Sequence, residues 1–158
     1  MNHVTDVTGL GASPLGPRYG MNFTLGEHSA LHLRRILRAY LRAWGMPGLA
    51  DSATLALTEL VSNVVRHVPD RRGTVLLLRK SGGDGVRVEV SDTDARVPVF
   101  PGFSTAVDGE GGRGLLIVEA VTDRWGWHRT PSHPTHTGKT VWFECDAKNG
   151  DSPDRRRD

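Results

Sequence analysis

The chain has 158 residues, of which 37% are hydrophobic and 24% charged, and its formal net charge is +2. This length suits one domain with a proper core, and the small net charge, without a basic patch interleaved with aromatic residues, argues against a nucleic-acid partner. The single cysteine, Cys145, excludes an internal disulfide framework, and because no apolar stretch reaches the ~18 to 20 residues that cross a bilayer, we expect a cytoplasmic protein without a membrane segment.

The two ends of the chain differ in composition from its middle. Residues 1–18 are rich in Gly, Thr, Ser and Pro without any periodicity, and we interpret them as a flexible leader. Residues 147–158 are interpreted as a disordered tail for the same reason. Residues 19–146 then form the one domain, which begins with a predicted strand at 19–25.

Two helices are predicted next. Ser29 is a candidate N-cap, and apolar residues at helical spacing over 33–44 predict the first helix. Gly45 suits the left-handed position that follows a helix and ends it. Asp51 is a candidate N-cap of the second helix, which ends before Pro69.

The hydrophobic period then changes from helical to alternating. Strands are predicted at 74–79, 86–90, 125–129 and 139–145, and a short apolar helix at 115–121. Residues 81–85 carry a hairpin signal, residues 93–112 are too rich in Pro and Gly for a regular element, and a Pro/His/Thr turn joins the last two strands. Because consecutive strands are joined by short hairpins, the fold class is an α/β two-layer sandwich with a mixed, mostly antiparallel sheet and three helices on one face.

Glu59, Asn63 and His67 are spaced four residues apart on the second helix and form one polar stripe among apolar neighbours. Carboxylate and carboxamide oxygens are hard donors that suit Mg²⁺, and a Glu in such a place can act as a general base. The stripe therefore indicates a pocket wall. A solvated face of an amphipathic helix explains the same pattern, and the stripe alone does not decide.

Three further signals follow downstream. Asp92 ends a predicted strand, where its carboxylate can accept a hydrogen bond from an exocyclic amine or begin an Asx turn. A glycine-rich run leads into the third helix. The backbone amides of this run can approach an anion closely, or the run can serve as a flexible hinge. It is not a P-loop, because no Lys-Ser/Thr follows it. Thr140, near the start of the last strand, can join a hydrogen-bond network with Asp92 or be an ordinary β-branched strand residue.

In this order, the four signals resemble the nucleotide-binding domain shared by the gyrase, heat-shock chaperone, histidine kinase and mismatch-repair ATPases (the Bergerat ATP-binding fold). The resemblance covers residues 19–145. The segments Glu-Leu-Val-Ser-Asn-Val-Val-Arg-His at 59–67 and Gly-Gly-Arg-Gly-Leu-Leu-Ile-Val at 111–118 are especially similar to the anti-sigma factor serine kinases of bacterial partner switching and their stand-alone actinobacterial relatives.

The resemblance implies ATP and Mg²⁺ as cofactors and a role for each motif. Asn63 would coordinate Mg²⁺, and Glu59 would be the catalytic base. Asp92 would hold the adenine amino group, with Thr140 assisting through water, and residues 95–110 would form a lid. The phosphates would be cradled by the backbone of Gly111, Gly112, Arg113, Gly114 and Leu115.

The implied function is a protein serine/threonine kinase that transfers the γ-phosphoryl group of ATP to a hydroxyl of a small anti-sigma-factor antagonist, with a homodimer as the plausible assembly. The family has Gly two residues after the strand-end Asp, whereas this chain has Asp94 at that position. The predicted lid of this chain is also short and Pro-rich. This departure favours the alternative function, a nucleotide-binding module that sequesters a sigma factor or antagonist without phosphorylating it. His67 receives no role.

Overall fold

The computed structural model describes residues 4–5, 17–24, 29–82, 84–94, 96, 113–133 and 136–148. The elements in chain order are β1 (Val4–Thr5), β2 (Arg18–Thr24), α1 (Ser29–Ala43), α2 (Ala50–His67), β3 (Arg72–Arg79), β4 (Gly85–Asp92), α3 (Arg113–Val121), β5 (Arg124–His133) and β6 (His136–Asp146). A single 3₁₀ turn, Pro47–Leu49, lies between α1 and α2. In the described ranges, none of the helices has the length and hydropathy of a membrane span.

The described strands form one sheet in the order β1-β2-β3-β4-β6-β5, and each neighbouring pair is antiparallel. This confirms the α/β fold class and the largely antiparallel sheet. The edge strand β1 pairs Val4 with Met21 and Thr5 with Gly20, inside the segment interpreted as a leader. Two residues carry no periodicity, so nothing in the composition indicates such a strand.

The three helices cover one face of the sheet. Alternate residues of β4 and β6 point into this face and are almost completely buried, among them Val88, Val90 and Phe143. The central helix α2 packs on β4 and β6, while α1 and α3 flank it and α3 also contacts β5. Burial of a side chain such as that of Phe143 stabilises the fold by about 1.5–3 kcal/mol.

The opposite face of the sheet carries charged residues instead of a second helical layer. Arg87 contacts Glu89 at 2.8 Å and Glu144 at 3.1 Å, and its guanidinium lies 4.1 Å from the centre of the Trp142 ring. Partly exposed ion pairs of this kind contribute little to stability. They do make this face compatible with water, and none of the three described helices lies on it.

The ends of the first two helices agree only in part with the sequence prediction. Gly45 adopts a φ of 75°, and the next residue donates a backbone hydrogen bond to the carbonyl of Leu41 at 2.8 Å, as expected for a glycine-terminated helix. Asp51, however, is not an N-cap: Leu49 occupies that position without a side-chain cap, because the 3₁₀ turn runs directly into α2. Asp51 lies in the first helical turn and accepts a hydrogen bond from Arg38 at 3.2 Å.

The last two strands are longer than predicted. They extend through most of the segment that its Pro, His and Thr content predicted to be a turn, and position 131 pairs with position 137. Proline is tolerated there because β5 lies at the edge of the sheet, where not every backbone N–H has to be donated to a neighbour.

Candidate functional site

The polar stripe of α2 faces the start of α3. Glu59 and Asn63 are both half-buried, and a Cβ atom built on Gly114 would lie 3.0 Å from Glu59 Oε2 and 3.5 Å from Asn63 Oδ1. Only glycine therefore lets the backbone of the first turn of α3 approach these two side chains without displacing them. Of the two readings of the stripe, this arrangement favours the pocket wall over the solvated face.

The chemistry of this contact suits a cation and an anion together. The carboxylate of Glu59 and the amide oxygen of Asn63 are hard oxygen donors. The first turn of α3 presents backbone N–H groups that have no partner within the helix, and it contains no acidic residue. A phosphate group accompanied by a divalent metal ion matches both halves of the site.

His67, the third member of the stripe, has a different environment. It is exposed at the last turn of α2, and its carbonyl accepts a hydrogen bond from the guanidinium of Arg96. The last carbonyls of a helix lack partners within the helix and carry partial negative charge, so a cation is favourable there. The described contact of His67 is thus made by its backbone carbonyl.

Asp92, the last residue of β4, is 7% exposed. Its Oδ1 accepts the backbone N–H of Asp94 at 2.8 Å, which is the Asx turn considered from the sequence. The ammonium of Lys139 lies 3.0 Å from each of its carboxylate oxygens. Burial raises the pKa of Asp92, and the hydrogen bonds from Lys139 and from the Asp94 amide oppose that rise. The carboxylate is thus held at the strand end with a cation as its partner.

Thr140 lies on the other face of the sheet from Asp92. It is paired in register with Ser91, and its hydroxyl lies 2.7 Å from the Ser91 hydroxyl and also contacts that of Thr130. Because side chains alternate along a strand, the residue of β6 that faces Asp92 is Lys139. The structure does not bring Thr140 and Asp92 into the one network considered from the sequence.

Gly138 allows β6 to come close to the end of β4. A Cβ atom built on this glycine would lie 2.0 Å from the carbonyl oxygen of Asp92, which no side chain could tolerate. This close approach is what places Lys139 beside the Asp92 carboxylate. Close packing of β6 against the end of β4 therefore explains why the predicted closing motif contains glycine at this position.

Asp94, the departure from the family pattern, does not add an unpaired charge. Its carboxylate accepts a hydrogen bond from Arg96 Nε at 2.8 Å, and this bond lowers the pKa of Asp94 below its usual value. Since Arg96 also reaches the His67 carbonyl, the segment after β4 is tied to the end of α2.

The remaining predicted site residues divide into two groups. Arg113 begins α3, and Leu115 is buried in the core, 3% exposed. Gly111, Gly112 and the predicted lid apart from Arg96 lie outside the described residues. The site residues that the structure brings into direct proximity are thus Glu59, Asn63 and Gly114.

Residues 25–144 match the family model described as histidine kinase-like ATPase domain. The chain belongs to this family. Its sequence is also 35% identical over 71 residues to Uncharacterized protein SCO4941 of Streptomyces coelicolor, a match that covers 44% of this chain and 67% of that protein.

Among solved structures, the fold is similar to that of a chain in the SiaB–SiaC complex from Pseudomonas aeruginosa. The TM-score is 0.60 at 14% identity, and the match covers 79% of this chain and 87% of that chain. These comparisons confirm the resemblance at the level of the ATPase domain family and its fold, and an ATPase domain implies ATP as its ligand.

Two residues of this ATPase domain were missed by the sequence analysis. Lys139 stands next to Thr140, but only the register of β6 against β4 shows which of the two faces Asp92. Arg96 lies in a segment without periodicity, and its contact with His67 spans 29 positions. The alternation of buried residues along β6 was the one available signal, since Lys139 has the same parity as the buried Val141 and Phe143.

Proposed function

We propose that this histidine kinase-like ATPase domain binds ATP and Mg²⁺ beside α2, the start of α3 and the ends of β4 and β6, and that it acts in the cytoplasm as a protein serine/threonine kinase. The observation that supports this most is the close approach of the Gly114 backbone to Glu59 and Asn63, which leaves no room for a side chain unless Glu59 moves. An ATP-binding domain needs a hard oxygen donor beside the start of a helix. A kinase needs in addition a base near them, and we assign that role to Glu59.

The residues present fit the ligands that the family implies. The amide oxygen of Asn63 would hold Mg²⁺, and the backbone at the start of α3 would hold the phosphates through its free N–H groups. Asp92 would accept a hydrogen bond from the adenine amino group, and the neighbouring Lys139 would keep this carboxylate ionised and so able to accept. Mg²⁺, when bound, would neutralise the negative charge of the phosphate oxygens.

Glu59 would act on the acceptor hydroxyl of a partner protein. Its half-buried carboxylate takes the hydroxyl proton while the hydroxyl oxygen forms a bond to the γ-phosphorus and the bond from that phosphorus to the bridging oxygen of ADP breaks. Positioned general bases contribute about 10²- to 10⁴-fold to a rate. The amides of the α3 start stabilise the phosphate charge throughout the transfer.

The partner proposed is a small anti-sigma-factor antagonist, with a sigma factor as a second binding partner and a homodimer as the assembly. The similarity of 59–67 and 111–118 to anti-sigma factor kinases supports this. The solved chain with the matching fold is itself part of a two-protein complex, which is consistent with a protein partner here.

A second candidate function is a nucleotide-binding module without transferase activity. Asp92 is engaged by Lys139 and Asp94 by Arg96, so a base that enters this region meets two ion pairs. In this case the protein would bind nucleotide and sequester its partner without phosphorylating it.

The experiment is a phosphotransfer assay with labelled ATP and candidate antagonist proteins. Glu59→Gln should keep ATP affinity within about threefold, because the amide is isosteric, and should lower transfer by at least ~100-fold. The matched control is Glu119→Gln, which changes an exposed glutamate of α3 and should leave both quantities unchanged. Transfer at the wild-type rate in Glu59→Gln would rule out the base; ATP binding without any transfer by the wild type would favour the module.

A further inference from the structure

A groove with a volume of about 420 Å³ lies between α1 and α2. From α1 it is lined by Leu31 and by Arg34, Arg35 and Arg38, and from α2 by Leu55 and two threonines. Neither Glu59 nor Asn63 lines it, so the groove is distinct from the candidate ATP site.

The groove has an apolar component that is open to solvent. Leu31 is 43% exposed and Leu55 is 42% exposed. A single exposed leucine is ordinary on a protein surface. Two of them that line one concave surface, one from each helix, form a place where apolar side chains of another molecule can be buried.

The groove also carries an excess of positive charge. α1 has the sequence SALHLRRILRAYLRA, with four arginines and no acidic residue. Asp51 pairs with Arg38 at 3.2 Å, but among the ion pairs between described residues none involves Arg34 or Arg35. Among the described ion pairs, the three lining guanidinium groups are thus matched by the single carboxylate of Asp51.

We propose that this groove binds an acidic amphipathic helix of a partner protein. Leucine-like side chains on one face of that helix pack against Leu31 and Leu55, and flanking carboxylates pair with Arg34 and Arg35. Binding of an amphipathic helix in a groove between helices is a common mode of protein recognition, and arginine is enriched where such contacts carry most of the binding energy.

The charge and shape of the groove favour this occupant over three others. In a symmetric contact with a second copy, the same arginines would face each other, which is unfavourable. A membrane surface is flat and needs protruding apolar residues, whereas these leucines line a concave surface. A nucleic acid offers its phosphates to the arginines but no apolar groups to the leucines.

The proposal does not depend on nucleotide binding. Leu55 and Thr58 line the groove and precede Glu59 in α2 by four residues and by one residue. A segment bound in the groove therefore lies about one helical turn, ~6 Å along the helix axis, from the proposed base. A partner held there would have other parts of its surface close to the α3 start.

The test uses the full chain and two labelled 16-residue peptides of helical design. Both have leucine at positions i, i+3, i+4 and i+7, and they differ only in flanking glutamate or glutamine. Fluorescence anisotropy should show at least tenfold tighter binding of the glutamate peptide, with a loss of affinity at 0.5 M salt as charges are screened. The double variant Arg34→Glu with Arg35→Glu should lose at least tenfold in affinity, and Leu55→Ser should weaken both peptides.

The matched control is Arg42→Glu, which reverses an exposed charge in the last turn of α1 outside the groove and should change the affinity by less than twofold. Circular dichroism and ATP affinity, measured on each variant, separate loss of docking from loss of the fold or of the ATP site. If the double arginine variant is not folded, the proposal is tested by Leu55→Ser alone, which should weaken binding of both peptides.

The proposal is overturned by equal affinity for the two peptides, or by an equal loss in Arg42→Glu. It is also overturned if Leu55→Ser dissociates a homodimer in sedimentation without weakening either peptide, which would make a second copy the occupant. Binding to phosphatidylserine vesicles that needs Arg34 and Arg35, without peptide binding, would assign the groove to a membrane surface instead.

Discussion

Gly114→Ala tests whether the start of α3 serves a ligand or only the fold. The added methyl group would lie 3.0 Å from Glu59 Oε2 and 3.5 Å from Asn63 Oδ1. The first distance is shorter than an ordinary carbon–oxygen contact, so the Glu59 carboxylate has to move away by a few tenths of an ångström. Because that carboxylate is the end of a flexible side chain, this movement changes the free energy of unfolding little.

The two expected effects have opposite signs. Alanine is favoured over glycine in a helix by up to about 1 kcal/mol, so the free energy of unfolding should be unchanged or slightly raised. The methyl group fills the space in which backbone amides and the two oxygen donors converge, so we expect the affinity for ATP with Mg²⁺ to fall at least tenfold, or about 1.4 kcal/mol. A more stable protein with a weaker site is not what general damage produces.

Isothermal titration calorimetry with ATP and Mg²⁺, together with urea unfolding, measures both quantities on the same sample. The control is Gly20→Ala in β2, whose Cβ atom would lie at an ordinary 3.5 Å from Leu76 Cδ1. It should leave ATP affinity unchanged. Wild-type affinity in Gly114→Ala would refute the view that the ligand is held where α3 meets Glu59 and Asn63.

Three further predictions concern the end of β4. Asp92→Ala leaves the ammonium of Lys139, whose side chain is 12% exposed, without its carboxylate partner. The free energy of unfolding, measured in urea, should therefore fall by about 3–5 kcal/mol. The double variant Asp92→Asn with Lys139→Met, which removes both charges, should recover most of this loss. The hydrogen bond from Arg96 lowers the pKa of Asp94 in the folded state, so the ionised carboxylate stabilises the fold. This stabilisation is present above the unfolded-state pKa and is lost as the pH falls through the folded-state pKa. In urea unfolding, the wild type should therefore lose stability more steeply than Asp94→Asn below about pH 4. Thr140→Val removes hydroxyl contacts on the sheet face away from Asp92, so unfolding free energy should drop by about 1–3 kcal/mol while ATP affinity, measured by calorimetry, changes by less than twofold.

Each of these has its own contradicting outcome. Wild-type stability in Asp92→Ala would mean that Lys139 reaches solvent without cost. Parallel pH profiles for the wild type and Asp94→Asn would mean that Arg96 does not hold Asp94 in solution. A tenfold loss of ATP affinity in Thr140→Val would return Thr140 to the adenine pocket, as the sequence motif predicted.

Much of the fold could be predicted because its signals are local. A helical stripe needs only the chain within a few turns, so α1 and α2 were predicted from residue spacing, and α3 was predicted from a short apolar run. Gly45 ended α1 as predicted because a left-handed backbone is a property of that one residue. The Asp51 prediction was wrong for the opposite reason: the 3₁₀ turn ahead of α2 depends on how the connection packs, which residue spacing does not report.

The candidate site divides in the same way. The spacing of four places Glu59 and Asn63 on one side of α2 by helical geometry, whatever the rest of the chain does. That this side meets Gly114, rather than water, is decided by the packing of α3 against α2. The pairing of Lys139 with Asp92, 47 positions apart, is decided by the register of β6 against β4.

Alternation along β6 indicates which of its residues share a face, but the partner of each residue in β4 depends on the strand register, which composition does not report. Burial of Val90 beside Val141 selects one register, and with it Lys139 faces Asp92 while Thr140 faces Ser91. The sequence by itself thus determined the three helices, the central strands, the polar stripe and the order of the motifs. Tertiary packing decided which side chains of those motifs share a site, because long-range contacts depend on the whole core.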